Sequence, residues 1–339
     1  MASDVVIRAD QIPMALAKHS AKTLHSAISR APYTIARAYI NLLSFVSRRL
    51  PKSLGVRIQN SMCQFKWPEM KFGSKNVFVG HKTKILLIPH LGEFDQAALF
   101  VKALDYEAPV FEWLAENASA KYDLVIEIGA NVGVYTVFLD ALTRLPGSKL
   151  TKVIAFEPSP EAFRRLLENL RANKTQHVYA LQAAIGPESG IRTLFEPAGH
   201  LTCGSFVREF AELFADSISK TEVISIAAAE LERFLKGSQK ALIKIDAEGF
   251  EPVLVACLDS LIKKYKPDLL IEVLDITAER LDEMPALGGC RKYLVTSEGL
   301  REAQHLFACP NCRDWVLLFD QESSEKSPVF AASSAALPI

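Results

Sequence analysis

A doubly wound α/β sheet, mostly parallel and preceded by a helical extension, is the fold this sequence predicts. Three observations carry the prediction. Between residues 121 and 320, short β-rich apolar runs alternate with amphipathic stretches of helical period. The runs show little in-out alternation, as expected of parallel strands covered on both faces. Several end in glycine or an acid, the residues that suit ligand loops at the carboxyl ends of such strands. Strand–helix–strand repetition implies right-handed crossovers and therefore parallel neighbours.

Taken in order, residues 1–66 read as a helical segment, Ala-rich and basic, broken by Pro32 and Pro51. Residues 67–120 form a mixed lead-in with an alternating run (NVFVG), an apolar run (KILLIP) and a helical stretch (DQAALFVKAL). The main domain spans residues 121–320. In it DLVIEIG is the first buried strand, followed by a helix from about Val132 to Leu142. KVIAFE is the second strand, PEAFRRLLENLRA the second helix and HVYALQAAI the third strand. ALIKIDA is the fourth strand, PVLVACLDSLIKKY the helix after it and DLLIEV the fifth strand. RKYLVT and WVLLFD supply closing strands, the last of them antiparallel. Residues 321–339 are small, polar and proline-containing, and read as a mobile tail.

Lys+Arg and Asp+Glu balance at 39 each, so no global field draws the chain to nucleic acid or to an anionic membrane. No stretch reaches the ~20 apolar residues of a membrane span. The start, MASDVVIRADQ, lacks the basic-then-apolar order of an export signal, so a cytoplasmic location is expected. In that reducing compartment Cys63, Cys203, Cys257, Cys290, Cys309 and Cys312 are expected to be unbridged. Cys309-Pro-Asn-Cys312 resembles half a zinc knuckle, but a structural site needs four ligands and no second pair follows; no metal is predicted. The basic positions Arg30, Arg37, Arg48, Arg49 and Lys52 read first as a solvated helix face, with contact to a lipid-linked acceptor or a partner as the alternative.

The first strand ends in Glu127-Ile-Gly129-Ala130-Asn131-Val-Gly133. A dinucleotide loop would place glycines at 129, 131 and 134; Asn131 and Val134 occupy two of those positions. The loop suits a nucleoside without a diphosphate. Glu127 can attract an ammonium group on such a ligand. Glu157 ends the second strand, 28 residues after Gly129, where a carboxylate accepts hydrogen bonds from ribose hydroxyls. Either acid alone is more often a solvated strand-end residue; the pair with the glycine turn between them makes a cofactor site the better reading. After the third strand, Ala183 and Ala184 leave room for a flat ring.

These residues resemble the FkbM family of class I methyltransferases. The resemblance rests on DLVIEIGANVGVYTVFL, VIAFEPSPEAFRRLLENL, LQAAIGPESG and above all ALIKIDAEGFEPVLVA, and spans about residues 105–320. Tyr106-Glu107 also fits the family pattern. The resemblance implies a Rossmann-like sheet of seven strands, S-adenosylmethionine as donor, and an oxygen acceptor on a sugar, polyketide or related metabolite. Two departures stand out: Glu127 replaces the commoner Asp, and VISIAAAELERFL carries alanines where members often have acids.

For the chemistry, a hydroxyl acceptor is a poor nucleophile until its proton leaves, so a positioned base is needed. Strand alternation puts Lys244 and Asp246 on one face, with Asp246 at the strand tip. Asp246 is the leading candidate for base or acceptor-orienting group, Lys244 for its partner and Glu248 for a further acceptor contact. Glu251 is placed at the acceptor, against the plain alternative that it stabilises a helix N-terminus. The glycine-rich segment 199–206 reads as an acceptor loop with His200 and Ser205 at its edge. The expected partners are a small-molecule or glycan acceptor and no nucleic acid; a homo-oligomer is compatible with the sequence. A cofactor-binding protein without catalysis is the alternative function, and an NAD-dependent oxidoreductase a weaker one.

Overall fold

The computed structural model describes residues 23–62, 67, 70–80, 82–91 and 93–319. The expected tail 321–339, Cys63 and the first 22 residues of the helical segment lie outside them. Helix α1 (Tyr33–Ser47) and helix α2 (Lys52–Met62) fill the extension. Ala36, Ile40 and Met62 pack on Leu99 and Phe100. The buried Ser44 hydroxyl donates to the Leu99 carbonyl at 2.6 Å.

Strands β1 (Lys75–Val79) and β2 (Thr83–Leu87) form an antiparallel hairpin whose Val77, Val79, Ile85 and Leu87 join the main core. The helix expected over DQAALFVKAL is a single turn, Ala97–Phe100. The chain beyond it is captured by the hairpin: Phe78 N–H donates to the Lys102 carbonyl and Leu104 N–H to the Phe78 carbonyl. Helix α3 (Ala108–Lys121), not anticipated in the lead-in, carries Pro109 in its first turn and buries Phe111, Leu114 and Ala118.

The main sheet begins with β3 (Leu124–Ile128), followed by helix α4 (Val134–Thr143), strand β4 (Lys152–Phe156), helix α5 (Pro160–Asn173) and strand β5 (Val178–Leu181). Strands β6 (Ala184–Gly186), β7 (Gly190–Pro197) and β8 (Ile218–Ala227) form a separate three-stranded sheet. The chain returns through β9 (Ala241–Ile245), helix α6 (Glu251–Tyr265), β10 (Asp268–Glu272), β11 (Arg291–Thr296), β12 (Gly299–Ala303) and β13 (Asp314–Leu318). The spatial order is β12-β11-β13-β10-β9-β3-β4-β5. Strands β5, β4, β3, β9 and β10 run parallel, and β13 enters antiparallel.

Two expectations change. The sheet has eight strands rather than seven. The extra one, β12, is a hairpin partner of β11 across a turn closed by the Thr296 hydroxyl and by Gly299 at φ 108°. The run HVYALQAAI is two strands, not one. The chain turns at Ala183, whose N–H donates back to the Leu181 carbonyl, and Ala184 pairs with Ser225 in the smaller sheet.

Both faces of the central strands are buried, which is why their sequences alternate so little. Val125, Val153, Ala155, Leu242 and Leu270 share one core with α4 and α5. Leu124, Ile126, Ile154, Ile243, Ile245 and Ile271 share the other with α6. The same alternation sends Glu127 and Lys244 to the α4 side, where the register pairs them directly.

Asp268 opens β10 as a fully buried acid. It accepts from Tyr122 Oη at 2.9 Å and Phe319 N–H at 3.0 Å, and pairs with Lys121 at 2.5 Å and Lys240 at 2.7 Å. It thereby ties α3, β9 and β13 to one strand end. Replacing one partner of such a cluster leaves the others buried and unmatched, so Asp268→Ala is expected to lower unfolding free energy by about 3–5 kcal/mol in urea titration. A loss under about 1 kcal/mol would make these contacts peripheral.

Candidate active site

The carboxyl ends of β3, β4, β9 and β10 open on one cavity of about 250 Å³. The turn after β3 is held by N–H groups of Gly129 and Ala130 on the Phe156 carbonyl, at 3.0 and 2.9 Å. Gly129 has φ +88°, and a Cβ there would lie 1.8 Å from the Asp246 carbonyl oxygen. No side chain fits, because the turns after β3 and β9 touch backbone to backbone. Asp246 N–H donates to the Ile128 carbonyl at 3.1 Å and completes the contact.

Three further residues mark this place as strained. Among the described residues, five non-glycine residues have positive φ. Lys174 and Lys266 are ordinary left-handed helix C-caps. The other three, Glu107, Asn131 and Glu248, all line the cavity. Backbone held in this costly region by its surroundings concentrates at functional sites.

Glu157 lines the cavity and is buried. One carboxylate oxygen accepts from Asn131 N–H at 2.7 Å and the other from Ser159 N–H at 2.8 Å. Burial outweighs both bonds and pushes its carboxyl up to about 7. Ala183 and Ala184, both buried, form part of the wall beside it.

Lys244 is almost fully buried, and its Nζ donates to Asp246 Oδ2 at 2.8 Å. Burial alone would lower its pKa, but the carboxylates of Asp246, Glu127 and Glu107 together raise it, so it stays an ammonium. The Tyr135 ring lies 4.4 Å from Nζ and adds a cation–π contact. Asp246 lines the cavity with its side chain 26% exposed, and its Oδ1 makes no hydrogen bond to any described residue. Glu248 and Glu272 also line the cavity, each held well above the ordinary carboxylate range, first by burial and next by Asp246.

The sequence-derived set divides accordingly. Gly129, Ala130, Asn131, Gly133, Glu157, Ala184, Lys244, Asp246 and Glu248 come together on the cavity wall. Four others do not line it. Glu127 is sealed in the core behind the wall, where one oxygen accepts from Thr136 Oγ1 at 2.7 Å and the other has no partner. Glu251 is fully buried and holds the turn between β9 and α6, accepting from Ala247 and Gly249 N–H at 2.8 and 3.2 Å. Ser205 is buried and donates to the Glu248 carbonyl at 2.6 Å, which fixes the loop to that turn. His200 is exposed, its ring 6.2 Å from that of Phe214. The loop itself does reach the cavity, through Leu201, Cys203, Gly204 and Phe206.

Residues outside that set also line the cavity: Tyr106, Glu107, Tyr135, Phe214, Glu272 and Arg313. Tyr135 Oη donates to Glu107 Oε2, which aims that acid from the start of α3. Glu107 thus lines the cavity that Glu127 does not reach. Glu272 was within reach of the strand-tip rule, as the acid ending DLLIE. Tyr135 and Arg313 carried no signal, since an inward helix tyrosine and a loop arginine look like packing and solvation.

A family model, the methyltransferase FkbM domain, matches residues 127–301. The chain belongs to the FkbM methyltransferases. The donor in this family is S-adenosylmethionine, and the residues present fit it: a glycine turn with no space for a side chain, a carboxylate fixed by two N–H donors, and small residues beside it. Among solved structures the chain is similar to a methyltransferase FkbM from Methylobacillus flagellatus KT, at 16% identity and TM-score 0.35, over 57% of this chain and 43% of that one. The match thus spans less than half of that protein. The chain is also similar to M. jannaschii TYW2 in complex with AdoMet (14% identity, TM-score 0.34, 74% of this chain and 87% of that one). A third similarity is to an rRNA methylase from Streptococcus thermophilus (12% identity, TM-score 0.33, 63% and 95%). No curated protein matches the chain.

The FkbM site stores buried carboxyls. Glu127, Glu157 and Glu251 are each raised by burial from 4.5 to about 7. Between those values the folded chain binds more protons than the unfolded one, so this contribution to stability is complete below 4.5 and lost as pH rises through about 7. In urea titrations of the ligand-free protein, unfolding free energy is expected to fall by several kcal/mol between about pH 5 and about pH 7.5. A profile that stays level or climbs across that window would contradict the burial of these groups.

Proposed function

We propose that this FkbM methyltransferase methylates a hydroxyl oxygen on a sugar, polyketide or related small-molecule or glycan acceptor. The observation that carries the reading is the Lys244–Asp246 pair, set at the strand tip that touches Gly129. S-adenosylmethionine, when bound, supplies a methyl group already activated on a sulfonium sulfur. The chain's own work is then to bind, orient and manage one proton.

Glu157 would hold the ribose of the donor. Its two backbone donors leave lone pairs on both oxygens for hydroxyl groups. Gly129, Ala130, Asn131 and Gly133 would form the turn around the donor, with Ala184 beside its base. Glu107, fixed by Tyr135, is the carboxylate placed to meet the donor's ammonium.

Asp246 Oδ1 would accept the proton of the acceptor hydroxyl, or the hydrogen bond that orients it. The Lys244 ammonium fixes the orientation of that carboxylate through Oδ2. Glu248, whose backbone Ser205 anchors, is the further acceptor contact, and Glu251 supports the turn from beneath. Tyr106, Phe206 and Phe214 add apolar area, so the wall offers flat faces together with carboxylate acceptors. That combination suits a polyhydroxylated or oxygenated ring.

Asp246→Ala is expected to lower turnover by ~10²–10⁴-fold with a hydroxylated acceptor library, read as S-adenosylhomocysteine release, with donor affinity held within a few fold. Normal turnover of that variant would remove Asp246 from the chemistry. Calorimetry with S-adenosylhomocysteine is expected to show Glu157→Ala weakened by ~1–3 kcal/mol. Unchanged affinity would place the ribose contact elsewhere. Product confined to amine acceptors would overturn oxygen as the methylated atom.

A further inference from the structure

The balanced charge of the whole chain conceals a strong local asymmetry. Residues 11–68 hold nine of the 39 basic residues and none of the 39 acidic ones. In the fold, four cations of this end and its neighbours line one open cleft with Phe45: Arg48, Arg49, Lys75 and Lys102. Among the described residues no carboxylate lines it. Arg48 is half-buried and donates only to backbone, to the carbonyls of Ala98, Val101 and Asn76 at 2.5 Å each. Arg49 lies over the Phe45 ring, 3.4 Å from its centroid. Neither Lys75 nor Lys102 has a hydrogen bond or ion pair from Nζ to any described residue. Burial and the adjacent Arg48 both lower the pKa of Lys75.

Beside this cleft, α1 is apolar on both sides. Its inner side packs through Ala36 and Ile40. On the opposite side Ile35, Leu42, Phe45 and Val46 follow helical spacing and are 51%, 59%, 58% and 41% exposed. Arg30, Arg37, Arg49 and Arg57 stand exposed on the same extension. A helix with an uncovered apolar stripe, basic flanks and no acid has the composition of one lying in a bilayer interface. Among the described residues no helix is long and apolar enough to cross a membrane, so the geometry is that of a surface contact.

We propose that the N-terminal extension seats this enzyme on an anionic phospholipid surface, with the Ile35–Leu42–Phe45–Val46 stripe at the acyl boundary and a lipid phosphate in the Arg48/Arg49/Lys75/Lys102 cleft. Charge complementarity selects the lipid: four cations, with no carboxylate among the described lining residues, lie beside the apolar stripe. A stripe that is aliphatic at three of four positions, its one ring already covered by Arg49, favours acyl chains over nucleic-acid bases, which call for aromatic platforms. The proposal does not depend on the acceptor assigned above.

The test is cosedimentation of the full chain with vesicles of phosphatidylcholine alone and of equimolar phosphatidylcholine and phosphatidylglycerol. Partition is expected to be roughly tenfold or more higher on the anionic vesicles and to fall with salt. Leu42→Asp with Phe45→Asp is expected to abolish it, and Lys75→Glu with Lys102→Glu to reduce it roughly tenfold. All these sites lie away from the donor cavity, and unchanged thermal unfolding would show that each pair folds. If either pair misfolds, the single change Phe45→Asp is read in its place. Equal partition on both vesicle types, variants that bind like the parent, or displacement by an oligonucleotide at equal phosphate concentration would each overturn the proposal. So would a full chain that binds neither vesicle, as when a second copy or another stretch of the chain covers the stripe.

Discussion

The site depends on one close approach, the backbone contact between the turns that follow β3 and β9. Gly129 meets the Asp246 carbonyl where a β-carbon would need to stand 1.8 Å away, and Asp246 N–H reaches back to Ile128. That contact joins the two parts of the cavity, because the turn placed to hold a donor belongs to β3 and the proposed acceptor-side acids belong to β9. Their separation is therefore set by strand spacing rather than by side-chain freedom. The register continues the arrangement below the surface, where Glu127 and Lys244 are paired neighbours.

A second consequence is electrostatic. Lys244 is surrounded by Asp246, Glu127 and Glu107, and Tyr135 lies against it. One buried cation thus organises carboxylates from three elements. The arrangement is costly in the absence of compensation, since burial raises the carboxyls of Glu127, Glu157 and Glu251. The site keeps charge close to a cavity at the expense of stability, as active sites commonly do. Glu251 and Ser205 belong to its frame: both hold the turn that carries Glu248 in a left-handed conformation.

The extension contributes differently. Its inner face completes a small core with Leu99 and Phe100, while its outer face leaves large aliphatic side chains exposed. A charge total for the whole chain cannot show this, because residues 11–68 hold no acid and the acids that cancel their charge lie elsewhere in sequence. Among the described residues no carboxylate lines the cleft, so the local field is not the global one.

By itself the sequence determined the parallel core, its helices and the glycine turn. These are local properties: apolar runs without alternation, helical period, and glycine where the backbone must turn. Lys244 to Glu248 and the acid after KVIAF were legible because the carboxyl ends of such strands open on the cavity. The tertiary structure decided what depends on contacts between distant segments. It placed Glu127 behind the wall and Glu107 on it, since depth along a strand is set by what packs over its end, here α3 and Tyr135. It split HVYALQAAI between two sheets and added β12, because strand pairing is a choice of partners. It turned Ser205 and Glu251 from expected acceptor contacts into supports, because a hydroxyl or carboxylate buried beside backbone polar groups bonds to those groups first.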